Sequence, residues 1–381
     1  MELVFISNFL NHHQKLFADT LCNTDGIEFT FIETIPMYDW LKRGGYTDYS
    51  NESYVLRSWE SKKSKQRAYK LAKSADVLIF AGPESLSYAI MRAKCTDKLT
   101  FDVSERWLKK GFFNIFSPRL LRYLWCYNRY FRHKQFYKLC SSAFASGDQY
   151  KLGTYRNRCF KWGYFTKVDD FIVQDRCDRK TGDNIIRIMW CARFLNWKHP
   201  ELPVKLAYRL KQKGYSFIID MFGSGKELDS IKSLITRMAV EDVVSLCGNR
   251  PNDEILSEMR EHDIFLFTSD KNEGWGAVLN EAMSNGCAVV GSDEIGSVPF
   301  LIEDGVNGCI FESRDLDSLE DKVIYLIEHP KKRVEMAQNA YHTLRNVWSP
   351  QNAAKQLLNL INAIQSGDES MIPEDGPCSR A

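Results

Sequence analysis

Short apolar runs alternate with helix-length amphipathic segments along almost the whole 381-residue chain, and this alternation constrains the fold more than any other feature. Strands that alternate with helices form parallel sheets covered by helices. In the first half we predict strands over 2–6, 28–32, 77–81, 99–103 and 143–146. In the second half we predict strands over 185–191, 217–222, 243–247, 264–268 and 287–291. The predicted fold class is therefore α/β, with two Rossmann-like doubly wound domains in succession.

The length supports a division into domains, because a single hydrophobic core stops growing at roughly 250–300 residues. A polar tract with charges of both signs separates the two halves, and we interpret it as a linker. The last residues are rich in Ser, Gly, Pro and acids, which is typical of disorder. We predict an N-terminal domain over 1–167, a linker over 168–183 and a C-terminal domain over 184–347. A helix over 348–365 is expected to cross back to the N-terminal domain, and a disordered tail is expected over 366–381.

Bulk composition excludes several classes of protein. The net charge is only +2, so bulk charge does not indicate a nucleic-acid partner. The 11 cysteines include no C-x-x-C pair, so a disulfide framework or zinc site is not expected. No signal peptide is visible, and no run approaches the roughly 20 apolar residues of a spanning helix. We therefore expect a cytoplasmic protein.

One segment combines a turn, glycines and two glutamates after the strand predicted over 264–268. It reads Glu273-Gly-Trp-Gly-Ala-Val-Leu-Asn-Glu281, and a helix is expected to open near Gly276. Free backbone N–H groups at a helix start, placed at the carboxyl end of a strand, suit a phosphate group. Two solvated glutamates at this spacing are common, so the functional interpretation depends on the Gly-Trp-Gly context.

Two cations follow the first strand of the second half. Arg193 and Lys198 stand in the segment Arg193-Phe-Leu-Asn-Trp-Lys198, after the strand predicted over 185–191. Ligands of doubly wound folds bind at the carboxyl ends of the strands, so both side chains fall where chemistry is expected. A nucleoside diphosphate leaving group carries about two negative charges, which two cations would stabilise as the bond breaks. Two surface cations beside a loop are the alternative.

Two weaker patterns leave alternatives open. Gly223-Ser-Gly225 follows a predicted strand but matches neither a P-loop nor a dinucleotide fingerprint, so a nucleotide contact and a simple turn are both possible. Asp315-Leu-Asp317 is the candidate acid pair for a metal, yet an acid-rich helix start explains it better. The seven histidines show no ligand spacing. No metal site is predicted.

The segment that begins at Glu273 resembles the C-terminal signature of retaining GT-B glycosyltransferases, particularly glycosyltransferase family 4 (group 1) of the bacterial polysaccharide type. The matching residues are Glu273-Gly-Trp-Gly-Ala-Val-Leu-Asn-Glu281, Ile295-Gly-Ser-Val-Pro and Glu303-Asp-Gly-Val-Asn-Gly308. The resemblance covers most of the second half and is thin over the first. It implies a GT-B fold, in which two Rossmann-like domains face a cleft.

The resemblance also implies a role for each matching residue. Glu273 would contact hydroxyls of the donor sugar, and Glu281 would hold the ribose. Arg193 and Lys198 would bind the diphosphate. The remaining donor contacts would come from Gly223, Gly225, Gly274, Trp275, Gly276, Ala277 and Val278. No cofactor is implied, because the UDP- or GDP-linked sugar is itself a substrate.

The N-terminal half departs from the family at two loops. The first loop carries His12-His13 among polar side chains, where the family often has two glycines. Many members place a histidine after the strand that matches 99–103, where this chain has Ser104 and Glu105. His12, His13, Ser104 and Glu105 are therefore the candidates for contacts with the acceptor or with the donor phosphate.

The stretch from Arg106 to Gly147 contains no Asp or Glu, and its basic residues alternate with aromatic ones. Pro118 is expected to open a long helix there. Such a stretch suits an anionic membrane surface, at about 1 kcal/mol per Lys or Arg near the surface. A cationic helix that packs its aromatic face inward is an equal alternative, and single-stranded nucleic acid is a weaker one. Membrane docking through 106–140 is thus a hypothesis, and no nucleic-acid partner is expected.

The function predicted from the sequence is a metal-independent hexosyltransferase. It would move a sugar from a nucleotide-sugar to a saccharide or lipid-linked saccharide acceptor, with retention of anomeric configuration. If the basic stretch docks, the enzyme would lie peripherally at the inner face of the membrane. A GT-B module that binds nucleotide-sugars without turnover is one alternative, and a phosphorylase or epimerase on the same fold is another.

Overall fold

The structure is a computed structural model, and it describes residues 1–39, 41, 46–170 and 185–381. The chain divides into two compact units. Unit 1 comprises Met1–Thr166 with Trp348–Ala381, and unit 2 comprises Lys167–Val347. Most of the linker predicted over 168–183 lies outside the described residues.

The described part of unit 1 holds a seven-stranded parallel sheet in the order β3-β2-β1-β4-β5-β6-β7. The strands are β1 (Glu2–Ser7), β2 (Glu28–Glu33), β3 (Val55–Arg57), β4 (Val77–Ala81), β5 (Thr100–Ser104), β6 (Phe136–Cys140) and β7 (Cys159–Lys161). The central strands are near-continuous apolar runs because helices cover both faces of a parallel sheet. The chain reverses its direction of travel across the sheet between β1 and β4, which defines a topological switch point.

The described part of unit 2 repeats the topology with six parallel strands in the order β10-β9-β8-β11-β12-β13. These strands are β8 (Ile186–Cys191), β9 (Phe217–Phe222), β10 (Val244–Gly248), β11 (Ile264–Phe267), β12 (Ala288–Ser292) and β13 (Cys309–Phe311). The switch point here lies between β8 and β11. The prediction of two Rossmann-like doubly wound units is confirmed.

Helices of both units connect the strands and cover the sheets. They are α1 (His12–Cys22), α2 (Lys62–Ser74), α3 (Leu86–Cys95), α4 (Pro118–Cys126), α5 (Ala145–Leu152), α6 (Glu201–Gln212), α7 (Leu228–Met238), α8 (Asn252–Glu261), α9 (Val278–Ser284), α10 (Val298–Leu301), α11 (Leu316–Glu328), α12 (Pro330–His342) and α13 (Pro350–Ser366). Side-chain caps define several starts: Asn11 caps α1, and Ser117 followed by Pro118 opens α4. Helix α13 packs against α1 within unit 1.

The strand predicted over 143–146 is wrong. Ala145 begins α5 instead, and the strand of this region is β6, which starts seven residues earlier in the acid-free stretch. The strand was missed because a lysine, Lys138, stands in the middle of β6 and lysine is usually a surface residue. In the structure its side chain is fully buried and pairs with Asp102 at 2.8 Å. The long helix expected at Pro118 is also shorter than predicted, since α4 ends at Cys126 and a π-helical turn follows.

The C-terminal tail is ordered, which corrects the prediction of disorder over 366–381. The amide of Cys378 donates to the carbonyl of Lys161, and the amide of Lys161 donates to the carbonyl of Ser379, both at 2.8 Å. The Cys378 side chain is fully buried. The tail thus pairs with β7 at the edge of the unit 1 sheet. Its main-chain hydrogen bonds to that edge keep it ordered although its composition is polar.

Across the described ranges, no helix combines the length and the apolar character needed to span a bilayer.

Candidate functional site

Hydrogen bonds tie together the loops that follow β8 and β11 in unit 2. The indole Nε1 of Trp190 donates to Thr268 Oγ1 at 2.9 Å, and Thr268 Oγ1 donates to the carbonyl of Lys198 at 2.7 Å. The amide of Asp270 donates to the carbonyl of Trp197 at 3.0 Å. Because these loops leave neighbouring strands at the switch point, their side chains meet at the edge where doubly wound folds bind ligands.

Lys198 and Glu273 form an ion pair at this edge. Their side chains are only 10% and 11% exposed. The hydroxyl of Ser269 also donates to Glu273 Oε2 at 3.1 Å, which fixes the carboxylate further. Removing one partner of a buried pair leaves an uncompensated charge, so each side chain depends on the other. The structure therefore brings together two residues that the sequence assigned to one donor site.

His199 stands beside the pair and was not among the predicted site residues. Its Nδ1 lies 3.0 Å from Glu201 Oε1, and its Nε2 lies 3.4 Å from Asp270 Oδ2. Burial alone would lower the pKa of His199, but these two carboxylates outweigh burial and raise it. The position directly after Lys198 and before a proline was the available signal.

Arg193 lies on the same loop as Lys198 but is exposed. Among the described residues it has no ion-pair partner, so its guanidinium is available to an anion. The loop is held in place by the neighbouring loop after β9, since the amide of Phe194 donates to the carbonyl of Ser224 at 2.9 Å.

Gly223 and Gly225 make that loop contact possible. A Cβ atom on Gly223 would lie 2.0 Å from the carbonyl oxygen of Ala192, and one on Gly225 would lie 2.3 Å from that of Phe194. Both glycines also have φ angles of +130° and +158°. Loop packing thus requires glycine at both positions, and a contact with the nucleotide remains a prediction.

The Gly-Trp-Gly turn is shaped by packing as well. Gly276 has a φ of +81°, and a Cβ atom there would lie 2.2 Å from the ring of Phe267. The Trp275 side chain is fully buried, and its Nε1 donates to Asn280 Oδ1 at 2.8 Å. Trp275 and Gly274 are therefore packed inside unit 2, and their contact with a donor stays a prediction.

Helix α9 begins directly after this turn. Ala277 and Val278 are partly exposed at its start, and no side chain caps it. Free N–H groups at such a start favour an anion, and a contact with the donor phosphate stays a prediction.

Glu281 lies in α9, the helix that follows the Gly-Trp-Gly turn. Burial raises its pKa to about 7, and a hydrogen bond with Asn252 opposes the rise. Burial also raises the pKa of the Cys191 thiol at the end of β8 to about 12, with Glu281 adding to the rise and Lys198 opposing it. Glu281 and Lys198 therefore lie close enough to Cys191 for their charges to act on the thiol.

The acid pair weighed as a metal site serves the fold. Asp315 caps α11 by accepting from the amides of Asp317 and Ser318 at 2.8 and 3.1 Å. Asp317 pairs with Arg209. Within the described ranges, no group of three or more His, Cys, Asp or Glu side chains is placed to hold a metal ion.

Unit 1 has a pocket of about 670 Å³ at the carboxyl ends of β1, β4, β5 and β6. This is its own switch-point edge, and the volume suits a small-molecule ligand. Three of the four N-terminal candidates line it, namely His13, Ser104 and Glu105, whereas His12 does not.

Two of the lining candidates, His13 and Glu105, are held by nearby side chains. His13 stacks on Tyr164 with ring centroids 5.4 Å apart, and burial together with His12 lowers the pKa of His13 well below its ordinary value. Glu105 pairs with Lys109 at 2.5 Å and accepts from the hydroxyl of Tyr164 at 3.0 Å. His13 is therefore neutral at physiological pH and suited to hydrogen bonding.

The basic aromatic stretch divides into a buried and an exposed part. Tyr127, Phe131 and Phe136 pack in the core of unit 1, which fits the inward-packing alternative for this part. The earlier part is different, because Phe113 and Phe116 are 85% and 73% exposed. Exposed apolar surface thus lies in the N-terminal part of the stretch, before the helix that opens at Pro118.

The chain as a whole has the two-domain Rossmann-like architecture of GT-B proteins. It is similar to Anabaena HepE in a crystal structure with UDP and glucose, with a TM-score of 0.68 and 16% identity, over 95% of this chain and 100% of that chain. Residues 178–343 match the family model described as Glycosyl transferases group 1. The match lies within unit 2, so unit 2 is the part of the chain that is similar to this family.

Two curated relatives match part of the chain. The amylovoran biosynthesis glycosyltransferase AmsK of Erwinia amylovora is 29% identical over 47% of this chain and 45% of its own length. The GtfA subunit of the UDP-N-acetylglucosamine–peptide N-acetylglucosaminyltransferase of Streptococcus pneumoniae is 27% identical over 40% of this chain and 29% of its own. The chain thus spans less than half the length of these relatives.

Proposed function

We propose that this chain is a hexosyltransferase that moves a sugar from a nucleotide-sugar to a saccharide or lipid-linked saccharide acceptor, with retention and without a metal. One observation carries the proposal. A buried Lys198–Glu273 pair lies at the switch-point edge of unit 2, with the exposed Arg193 on the same loop. This set offers cations to a diphosphate and a carboxylate to a sugar.

Arg193 and Lys198 would act on the leaving group. As the glycosidic bond breaks, negative charge develops on the nucleoside diphosphate, and fixed cations stabilise it. Arg193 has no competing partner among the described residues, whereas Lys198 would share its charge between Glu273 and the diphosphate. Arg193, the shared charge of Lys198 and the uncapped start of α9 together face the diphosphate with positive charge, and the proposal assigns no metal.

Glu273 and Glu281 would hold the two ends of the donor. Glu273 is fixed by Lys198 and Ser269, so its carboxylate can accept hydrogen bonds from sugar hydroxyls in one orientation. Glu281 would accept from the ribose hydroxyls. Retention is inferred from the resemblance of the segment starting at Glu273 to retaining enzymes. The name of the relative AmsK supports a role in polysaccharide biosynthesis.

Nucleotide binding gives the first test of this proposal. In a thermal-shift panel of UDP, GDP and their sugar conjugates, the ligands of one base, either uracil or guanine, should stabilise the protein. The stabilisation should be about 2.7 kcal/mol when the ligand is at 100 times its Kd. Arg193→Ala should weaken binding of that nucleotide about tenfold, since one charge-assisted hydrogen bond is lost. The matched control is Arg237→Ala, an exposed arginine of α7. The proposal fails if no nucleotide stabilises the chain, or if both variants bind alike.

We also propose that unit 1 docks peripherally on an anionic membrane surface. Phe112, Phe113 and Phe116 are 61%, 85% and 73% exposed, and Trp125 in the next helix is 59% exposed. Exposed cations such as Arg122 accompany them in a stretch without acids. Aromatic side chains enter the interface while cations contact lipid phosphates.

Liposome flotation tests the docking. Phe113→Ser should reduce flotation with anionic vesicles, and Arg122→Glu should reduce it further at low salt. Tyr150→Ser is the matched control, because Tyr150 is 71% exposed elsewhere in unit 1. Equal flotation of all variants, or none by the wild type, would remove membrane docking and leave the transferase proposal untouched.

A further inference from the structure

The unit 1 pocket has an unusual balance of charge. Its lining includes the cations Arg106, Lys109, Lys110 and Arg119, against the two carboxylates of Glu84 and Glu105. All four cations come from the acid-free stretch that begins at Arg106. The pocket therefore concentrates positive charge that the near-neutral chain as a whole lacks.

Two of these cations are already compensated within unit 1. Arg106 lies 3.4 Å from Asp148, and Lys109 lies 2.5 Å from Glu105. Lys110 and Arg119 are exposed and have no ion-pair partner among the described residues. The pocket thus offers two cations to a ligand without breaking an existing pair.

Polar atoms without partners also line the pocket. The hydroxyl of Ser141 has no hydrogen-bond partner within the described ranges, although the residue is only 1% exposed. His13 Nδ1 and Arg106 Nε are shielded from solvent and lack partners in the same way. Buried polar groups are nearly always satisfied, so unsatisfied ones around a cavity indicate a polar ligand.

We propose that this pocket binds an acceptor that carries an anionic group, either a phosphate or a carboxylate. Lys110 and Arg119 recognise the anion, because a guanidinium and an ammonium form charge-assisted hydrogen bonds with both groups. Ser141 and His13 bond to hydroxyls of the same acceptor, and Glu84 accepts from another hydroxyl. The inference rests on the proposed function only in treating the ligand as the acceptor of the transfer.

Direct titration tests the charge preference without donor or turnover. The probes are glucose 1-phosphate, glucuronate and the neutral methyl glucoside, which share one ring. We expect the full chain to bind at least one charged probe about tenfold more tightly than the neutral one. Preference for the phosphate alone indicates a phosphorylated acceptor, and preference for glucuronate alone indicates an acidic saccharide.

The variant Lys110→Ala/Arg119→Ala should lose this preference. The matched control is Arg129→Ala/Arg132→Ala, which removes two exposed cations of the same stretch that do not line the pocket. Saturation-transfer NMR on both variants reports binding even if no donor is turned over. Failure of the acceptor inference can therefore be distinguished from failure of the transferase proposal. Equal binding of all three probes by the wild type, or equal loss in both variants, would overturn the inference.

Discussion

Glu281→Gln should stabilise the protein at high pH while weakening its donor binding. Burial raises the pKa of Glu281 from 4.5 to about 7, so the folded state holds its proton more tightly than the unfolded state does. Stability from this group is fully present below pH 4.5 and is lost as pH rises through about 7. The full loss corresponds to about 3 kcal/mol. We expect about 1–2 kcal/mol of it, because Glu281 is only half-buried and water screens its charge.

Urea unfolding of wild type and variant at about pH 5.5 and about pH 8.5 measures this effect. The glutamine is neutral, so the variant should gain stability relative to wild type mainly at the higher pH. Glu261→Gln is the matched control, because Glu261 is an exposed carboxylate on the neighbouring helix α8, and it should show no such gain. UDP binding by Glu281→Gln should be weaker at the higher pH, where wild-type Glu281 is ionised. A stability difference that is independent of pH, or a variant that is less stable at pH 8.5, would refute the reasoning.

Three further outcomes are expected. Lys198→Met should lower the free energy of unfolding in urea by about 3 kcal/mol, because it leaves Glu273 as a buried unpaired charge. Adding Glu273→Gln should recover more than half of that loss, and additive losses would contradict this. Gly225→Ala should lower the thermal unfolding midpoint far more than Gly214→Ala. Both glycines have a positive φ, but only at Gly225 would a Cβ atom meet the backbone of another loop. Equal shifts of the midpoint would contradict the loop packing. Limited proteolysis should spare the C-terminal tail in the wild type and cleave it in Cys378→Asp, whereas cleavage in both would indicate a disordered tail.

The fold could be predicted from the sequence wherever strands are apolar throughout. The runs at 77–81 and 217–222 were predicted with the bounds that the structure gives them. Strand β6 was missed because its central Lys138 reads as surface charge, while the structure buries it against Asp102. The three-residue strands are too short to show a period, and only pairing with a neighbour defines them.

The sequence indicated that Lys198 and Glu273 lie at the same edge of a sheet, but not that they pair. Strand ends and the glutamate motif indicated Lys198 and Glu273, yet nothing in the sequence indicated that they pair with each other. His199 was missed because Asp270, one of its two carboxylate partners, lies far away in the chain on the loop after β11. The pocket of unit 1 likewise depends on strand ends that are far apart in the chain and meet only in the sheet.

The stereochemistry of donor hydrolysis tests the central claim most directly. Proton NMR follows the first sugar released when the wild type is incubated with the nucleotide-sugar that stabilises it. The account predicts that an α-linked donor releases the α-anomer, and that Glu273→Ala abolishes this release because the carboxylate that orients the sugar is gone. Release of the β-anomer, no release from any donor, or undiminished release by Glu273→Ala would contradict it.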